Sequence, residues 1–78
     1  MKIYTHHTFA QYVDIERRTL KVMVARGYLP KYVKLQRDMD TNYTFYIVQS
    51  KDLPNLKGDM QGHYGLYKQK VLDNIGKR

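Results

Sequence analysis

The 78-residue sequence contains no cysteine and no tryptophan, and only two prolines. The absence of cysteine excludes disulfide scaffolds, thiol nucleophiles and cysteine-ligated zinc together. No apolar run approaches the roughly 18 residues that a membrane-spanning helix needs, and the opening residues lack the apolar stretch of a signal peptide. We therefore expect a cytoplasmic protein that has no membrane-embedded segment.

Acidic residues are half as frequent as basic ones, 7 against 14, which gives a net charge of +7. Residues 1–36 hold seven basic and two acidic side chains, a net charge of +5, whereas residues 37–78 hold seven basic and five acidic ones, a net charge of +2. Such a surplus favours a polyanionic partner, nucleic acid or an acidic membrane surface. The first half of the chain is expected to bind it.

Side chains suited to catalysis or metal binding are sparse. His6 and His7 are adjacent and point in different directions, His63 is distant in sequence, and the carboxylates are scattered. No glycine-rich phosphate loop, nucleophile–base pair or paired-carboxylate pattern occurs. A chain of this length also has little room for a deep pocket with supporting shells. We expect neither enzyme activity nor a metal or other cofactor.

Residues 8–27 predict two short helices joined by a tight turn. After a short strand at residues 3–4, Thr8 is predicted to cap a helix over residues 9–13, with Gln11 completing a capping box. A second helix is predicted over residues 16–26. It ends at Gly27, in the left-handed position, with Pro30 preventing its continuation.

The spacing within this segment is that of a helix-turn-helix motif. Such packing needs a small residue on the first helix, apolar residues before and within the turn, and one buried stripe on the second helix. The residues at those positions are Ala10, Val13, Ile15, Leu20, Met23 and Val24. Asp14 stands where glycine is usual, but aspartate tolerates the left-handed conformation that this turn requires.

Residues 31–48 predict a β-hairpin that would form a wing beside the helices. Polar and apolar residues alternate over residues 31–36, which predicts a strand with Val33 and Leu35 buried. A polar loop of about six residues follows, and residues 43–48 are β-branched and aromatic, typical of a strand. Arg37 is predicted at the tip, where it would contact the DNA backbone or the minor groove.

The last third of the chain predicts a helical tail over residues 63–76, preceded by a short turn at residues 51–53 and a loop over residues 57–62. Tyr64, Tyr67, Val71 and Ile75 would share one face of the tail. This face either packs on the hairpin or contacts a neighbouring subunit.

The exposed side of the second helix carries the predicted DNA-reading residues. Arginine can bond guanine edges, while valine or alanine can touch a thymine methyl group. Arg18, Lys21, Val22 and Ala25 would face the major groove, and the flanking Arg17 and Arg26 would contact phosphates. Glu16 would accept from a cytosine amino group or satisfy the helix N-terminus. The full predicted DNA-binding set is Glu16, Arg17, Arg18, Thr19, Lys21, Val22, Arg26, Lys34 and Arg37.

The segment TFAQYVDIERRTLKVMVARGYLP followed by a hairpin resembles the excisionase-like winged-helix proteins of temperate phages, particularly their Cox/Apl-type regulators. Residues 27–30, GYLP, match the hinge of that family, and the resemblance covers residues 5–50. It implies a single α+β winged helix-turn-helix domain over residues 1–78, bound to double-stranded DNA in a bacterial host. It further implies cooperative binding and self-association on repeats at an attachment site and promoter, DNA bending, action with a phage integrase, and repression.

Two alternatives remain open at the level of sequence. One is a transcriptional regulator, winged-helix or MerR-like, that uses the same DNA-binding surface without a role in recombination. The other is a small phage adaptor that binds a host protein through its tyrosine-rich surface. Loss of excision in a deletion strain would exclude the first, and DNA binding at low salt would oppose the second.

Overall fold

Three helices and a three-stranded antiparallel sheet make up the fold in the computed structural model, which describes the backbone of residues 1–76 and the side chains of residues 1–74. The elements in chain order are β1 (Lys2–Thr5), α1 (His6–Val13), α2 (Arg17–Ala25), β2 (Lys34–Arg37), β3 (Thr44–Val48), a 3₁₀ turn (Ser50–Asp52) and α3 (Leu53–Gly76). The predicted α+β class is confirmed, and the arrangement is compatible with a small winged-helix fold.

The sheet has the strand order β1–β3–β2, so the hairpin strand β3 is central. The short strand predicted at residues 3–4 is confirmed, and Ile3 pairs with Ile47. The hairpin loop has the predicted length of six residues but lies one residue later, at residues 38–43, so Arg37 is the last residue of β2 and not at the tip, because it pairs with Thr44. It is closed by hydrogen bonds from the Asn42 N–H to the Asp38 carbonyl and from the Asp38 N–H to the Tyr43 carbonyl, both 2.8 Å.

The first hairpin strand differs from the prediction in its start and its burial. It begins at Lys34 rather than at residue 31, because the Val33 N–H donates to the Pro30 carbonyl (3.1 Å) in a turn. Val33 is buried as predicted, but Leu35 is 47% exposed. Since β2 is an edge strand, Leu35 has a strand on one side only, and all four residues of β2 are exposed.

The predicted start of the first helix is wrong by three residues. α1 begins at His6, and its N-cap is Thr5 rather than Thr8. The Thr5 hydroxyl accepts from the Thr8 N–H (3.2 Å), and the Thr8 hydroxyl accepts from the Thr5 N–H (2.9 Å). Thr8 thus has the reciprocal role predicted for Gln11, because β1 ends at Thr5 and the chain enters the helix directly.

The turn between α1 and α2 has the predicted conformation. Asp14 is left-handed, with φ 57°, and Ile15 fills the turn with only 5% of its surface exposed. The Ile15 N–H donates to the Ala10 carbonyl at 3.1 Å. From α3, the Gln61 amide donates to the Val13 carbonyl at 2.6 Å, so the third helix holds the end of the first.

The end of α2 also follows the prediction. Gly27 has φ 84°, in the left-handed region where a Cβ would be strained. Its N–H donates to the Val24 carbonyl (3.2 Å), and the Tyr28 N–H donates to the Met23 carbonyl (2.8 Å). These two bonds form a Schellman motif.

The C-terminal helix is much longer than predicted. The loop expected over residues 57–62 is helical, and α3 begins at Leu53 rather than at residue 63. Burial outweighs the low helix propensity of Gly58 and Gly62, because Leu56 and Met60 are fully buried on the same helix. Pro54 is tolerated because it lies in the first turn.

One core joins β1, α1, α2, β3 and α3, while no residue of β2 is buried. Its buried residues are Tyr4, Phe9, Ala10, Val13, Ile15, Leu20, Met23, Val33, Tyr46, Val48, Leu56 and Met60. The apolar face predicted on the C-terminal helix does not pack on the hairpin. Its Tyr67 packs edge-on against Tyr28, which lies just beyond the end of α2. The side chain of Ile75, predicted on the same face, lies outside the described residues.

Candidate nucleic-acid interface

α2 has one buried and one exposed side, as its sequence predicts. Leu20 and Met23 are fully buried. On the opposite side Arg18, Lys21 and Ala25 are exposed, and Val22 is 37% exposed. We call these last four residues the outward strip. The strip combines hydrogen-bond donors with small apolar groups, a combination suited to the edges of base pairs in a major groove.

The first residues of α2 are also accessible. Glu16 is the N-cap residue, but its side chain makes no capping hydrogen bond. Of its two predicted roles, satisfying the helix N-terminus is therefore not realised. Arg17 follows with an exposed side chain, while its backbone carbonyl is engaged by another part of the fold.

His6 connects the start of α2 to the sheet. Its Nε2 lies 3.0 Å from the Arg17 carbonyl oxygen, and its Nδ1 lies 2.9 Å from the Tyr46 hydroxyl. Because a carbonyl only accepts, Nε2 carries the proton, and in the neutral ring Nδ1 accepts from Tyr46. Burial raises the pKa of Tyr46 above its ordinary value, so its hydroxyl stays protonated to a higher pH than that of an exposed tyrosine.

A groove of about 290 Å³ separates α2 from the hairpin. Lys21 and Val24 line it from the helix, and Leu35, Tyr43 and Thr44 line it from the hairpin. The tyrosine is 67% exposed. Apolar groups therefore form part of the groove, while an ammonium group and hydroxyl groups border it.

The two basic residues predicted on the wing lie on opposite faces of the sheet. Arg37 pairs with Thr44, and Leu35 pairs with Tyr46, so these side chains share the face that borders the groove. Lys34 alternates with Leu35 along the strand and pairs with Ile47 on the other face. The structure thus places Arg37 on the sheet face that borders the groove and Lys34 on the opposite face.

The other flank of α2 lies against the second half of α3. Thr19 is half-buried and shares a cleft of about 270 Å³ with Tyr64, Tyr67 and Lys68. Further along the flank, the Arg26 guanidinium lies 5.8 Å from the centroid of the Tyr67 ring. Thr19 and Arg26 therefore lie on the flank of α2 that faces α3.

The structure adds residues that the sequence did not single out. Asn42 and Tyr43 reach the groove from the hairpin loop, and Lys68 reaches the cleft from α3. No local pattern marks them, because their proximity to α2 arises only from tertiary packing. Among the described residues, no group of three or more histidine or acidic side chains could hold a metal ion.

The helices of the described part of the chain are too short or too polar to span a bilayer. Comparison with protein-family models, with curated proteins and with solved structures finds no match.

Proposed function

We propose that the protein binds double-stranded DNA sequence-specifically, with α1 and α2 acting as a helix-turn-helix and α2 entering the major groove. The observation that carries this proposal is the outward strip of α2. It presents Arg18, Lys21, Val22 and Ala25 on a helix whose opposite side buries Leu20 and Met23 completely. The net charge of +7 supplies the sequence-independent part of the attraction.

In this proposal the hairpin is the wing and lies along the same DNA. Arg37 contacts the backbone or the minor groove, since it shares the sheet face that borders α2. The loop also contains the acidic residues Asp38 and Asp40. One oxygen of the Asp38 carboxylate is already bonded within the loop, because it accepts a hydrogen bond from the Asp40 N–H at 3.0 Å.

The biological role that we propose is that of an excisionase and repressor. The protein would bind repeated sites cooperatively at a phage attachment region and promoter, bend the DNA and direct an integrase toward excision. The support for this role is the resemblance of residues 5–50 to the Cox/Apl-type proteins. A regulator without a recombination role uses the same surface, and integrase-dependent excision assays with and without the protein distinguish the two.

A protein-interaction adaptor is the second candidate function. The observation that favours it is the exposure of two apolar side chains on α3, Leu66 at 64% and Leu72 at 62%. In that case DNA would not bind even at low salt.

The test of DNA binding is selection from a random duplex pool, followed by affinity measurements on the selected duplex and a scrambled one. We expect an enriched motif and a steep decrease of affinity with salt. Arg18→Ala should cost about 1–3 kcal/mol on the selected duplex and relax the preference at one base pair. Arg26→Ala should weaken binding to both duplexes about equally, as loss of a phosphate contact would. A wild-type protein with no enriched motif and salt-independent affinity would refute the proposal.

A further inference from the structure

We infer that the second half of α3 forms part of the DNA-binding surface and that Lys68 contacts a phosphate of the DNA strand on that flank of α2. This inference rests on the proposed function. It assigns a DNA-binding role to a helix that lies outside the helix-turn-helix and the wing.

The first support is the position of α3 beside α2. Thr19, on the flank of α2, shares its cleft with Tyr64, Tyr67 and Lys68. The Arg26 guanidinium lies over the same Tyr67 ring. Both ends of this flank of α2 therefore lie next to α3, and Lys68 projects at the flank itself.

The second support is the way in which the cations are held. The Lys68 Nζ lies 4.4 Å from the centroid of the Tyr64 ring, within cation–π range. Arg26 is held in the same way by Tyr67, at 5.8 Å. Two side chains that would otherwise be mobile are thus oriented by neighbouring rings, which lowers the entropy lost when they bind a phosphate.

The third support is the geometry of a major groove. The groove of B-DNA is about 12 Å wide and an α-helix with its side chains is about 10–12 Å across. A helix that enters it therefore has a sugar–phosphate strand on each side. The hairpin borders one flank of α2, and the groove between them is lined by Lys21 from the helix and Tyr43 from the hairpin loop. Lys68 and Arg26 border the other flank, where the second strand must pass.

The charges of α3 agree with this assignment. Asp73 is the acidic residue closest in sequence to Lys68. They are five positions apart, which places their side chains about 140° apart around the helix. The Asp73 carboxylate also accepts from the Gln69 amide, at 3.5 Å. Lys68 is therefore not neutralised by the acid of its own helix segment.

The experiment compares Lys68→Ala with Lys70→Ala. Both lysines are exposed on α3, and both substitutions remove one positive charge. They are two positions apart in the helix, so their side chains point to nearly opposite sides of it. The affinity of each variant for a labelled duplex of random sequence is measured across a sodium chloride titration. Thermal unfolding of each variant shows whether the fold is retained, and Lys68→Gln serves as a second variant if Lys68→Ala is unstable.

We expect Lys68→Ala to reduce the slope of log affinity against log salt by about 0.9, the value for one lost phosphate contact, and Lys70→Ala to leave it unchanged. If the wild-type protein binds DNA and the two substitutions change the slope equally, the inference is overturned and the proposed function stays intact. A wild-type protein without salt-dependent binding would instead refute the proposed function itself.

Discussion

The ring of Phe9 lies flat on the ring of Tyr46, with centroids 4.3 Å apart and planes inclined by only 5°. This stack joins the first helix to the central strand inside the core. The hydroxyl of the same tyrosine bonds to His6, which in turn bonds to the carbonyl of Arg17. One residue of the sheet thus helps to hold both helices of the candidate DNA-binding unit.

Removing the Tyr46 hydroxyl tests its hydrogen bond to His6. Tyr46→Phe keeps the stacked ring but deprives His6 of its partner, so we expect the free energy of unfolding to fall by about 0.5–1.5 kcal/mol. The control is Tyr43→Phe, whose exposed ring is expected to tolerate the change within about 0.5 kcal/mol. Urea denaturation measures both variants, and equal stability of the two would contradict the proposed connection.

The left-handed residue between α1 and α2 provides a second prediction. Asp14 has φ 57°, which glycine adopts freely and alanine does not. We expect Asp14→Ala to be less stable than Asp14→Gly by about 1 kcal/mol. Glu16→Ala, at an exposed position with φ −57° and no capping bond, is the control and should be close to wild type. If alanine and glycine at position 14 unfold at the same denaturant concentration, backbone strain does not matter in this turn.

Local sequence signals were sufficient for the turn between α1 and α2, the buried stripe of α2 and the end of α2. Asp14 and Gly27 are residue types that tolerate positive φ, and both stand where the pattern predicts the end of a helix. The buried stripe of α2 follows from its 3.6-residue period, since Leu20 and Met23 are completely buried. These features depend on neighbours within one turn of helix, which a sequence displays directly.

The features that the sequence did not reveal depend on distant neighbours. Gly58 and Gly62 predict a loop by propensity, but the burial of Leu56 and Met60 against the other helices makes the segment helical. The apolar stripe of α3 in fact begins at Leu53, so its period was a usable signal that the glycines obscured. The position of Lys68 beside α2 has no local signature of any kind.

The glycines of α3 lead to a third prediction. A Cβ built on Gly58, Gly62 or Gly65 meets nothing within 4 Å, so alanine fits there without rearrangement. We expect each glycine-to-alanine change to stabilise the protein by about 0.5–1 kcal/mol, because glycine loses more backbone entropy in a helix. Gly27→Ala is the matched control and should destabilise the protein, since φ there is 84°. Thermal unfolding measures all four, and a lower melting temperature for Gly62→Ala would contradict the prediction.

The tyrosines predict how stability changes at alkaline pH. Burial raises the pKa of Tyr46 and of Tyr4 in the folded protein, whereas in the unfolded chain both ionise near the ordinary value of 10. Above that pH the unfolded state has lost protons that the folded state retains, so the free energy of unfolding decreases as pH rises. Denaturation between about pH 9 and 11 should show this decrease. Tyr46→Phe should show a smaller decrease than wild type, and an identical pH dependence would contradict the assignment.

The two faces of the hairpin give the last prediction, which concerns DNA. Arg37 shares the sheet face that borders α2, whereas Lys34 lies on the opposite face of the same strand. Both side chains are exposed, so Arg37→Ala and Lys34→Ala remove equal charge at little expected cost to the fold. If the wing approaches the DNA from the side of α2, only Arg37→Ala should lower the salt-dependence slope, by about 0.9. A larger effect of Lys34→Ala would mean that the outer face of the sheet, and not the groove beside α2, contacts the backbone.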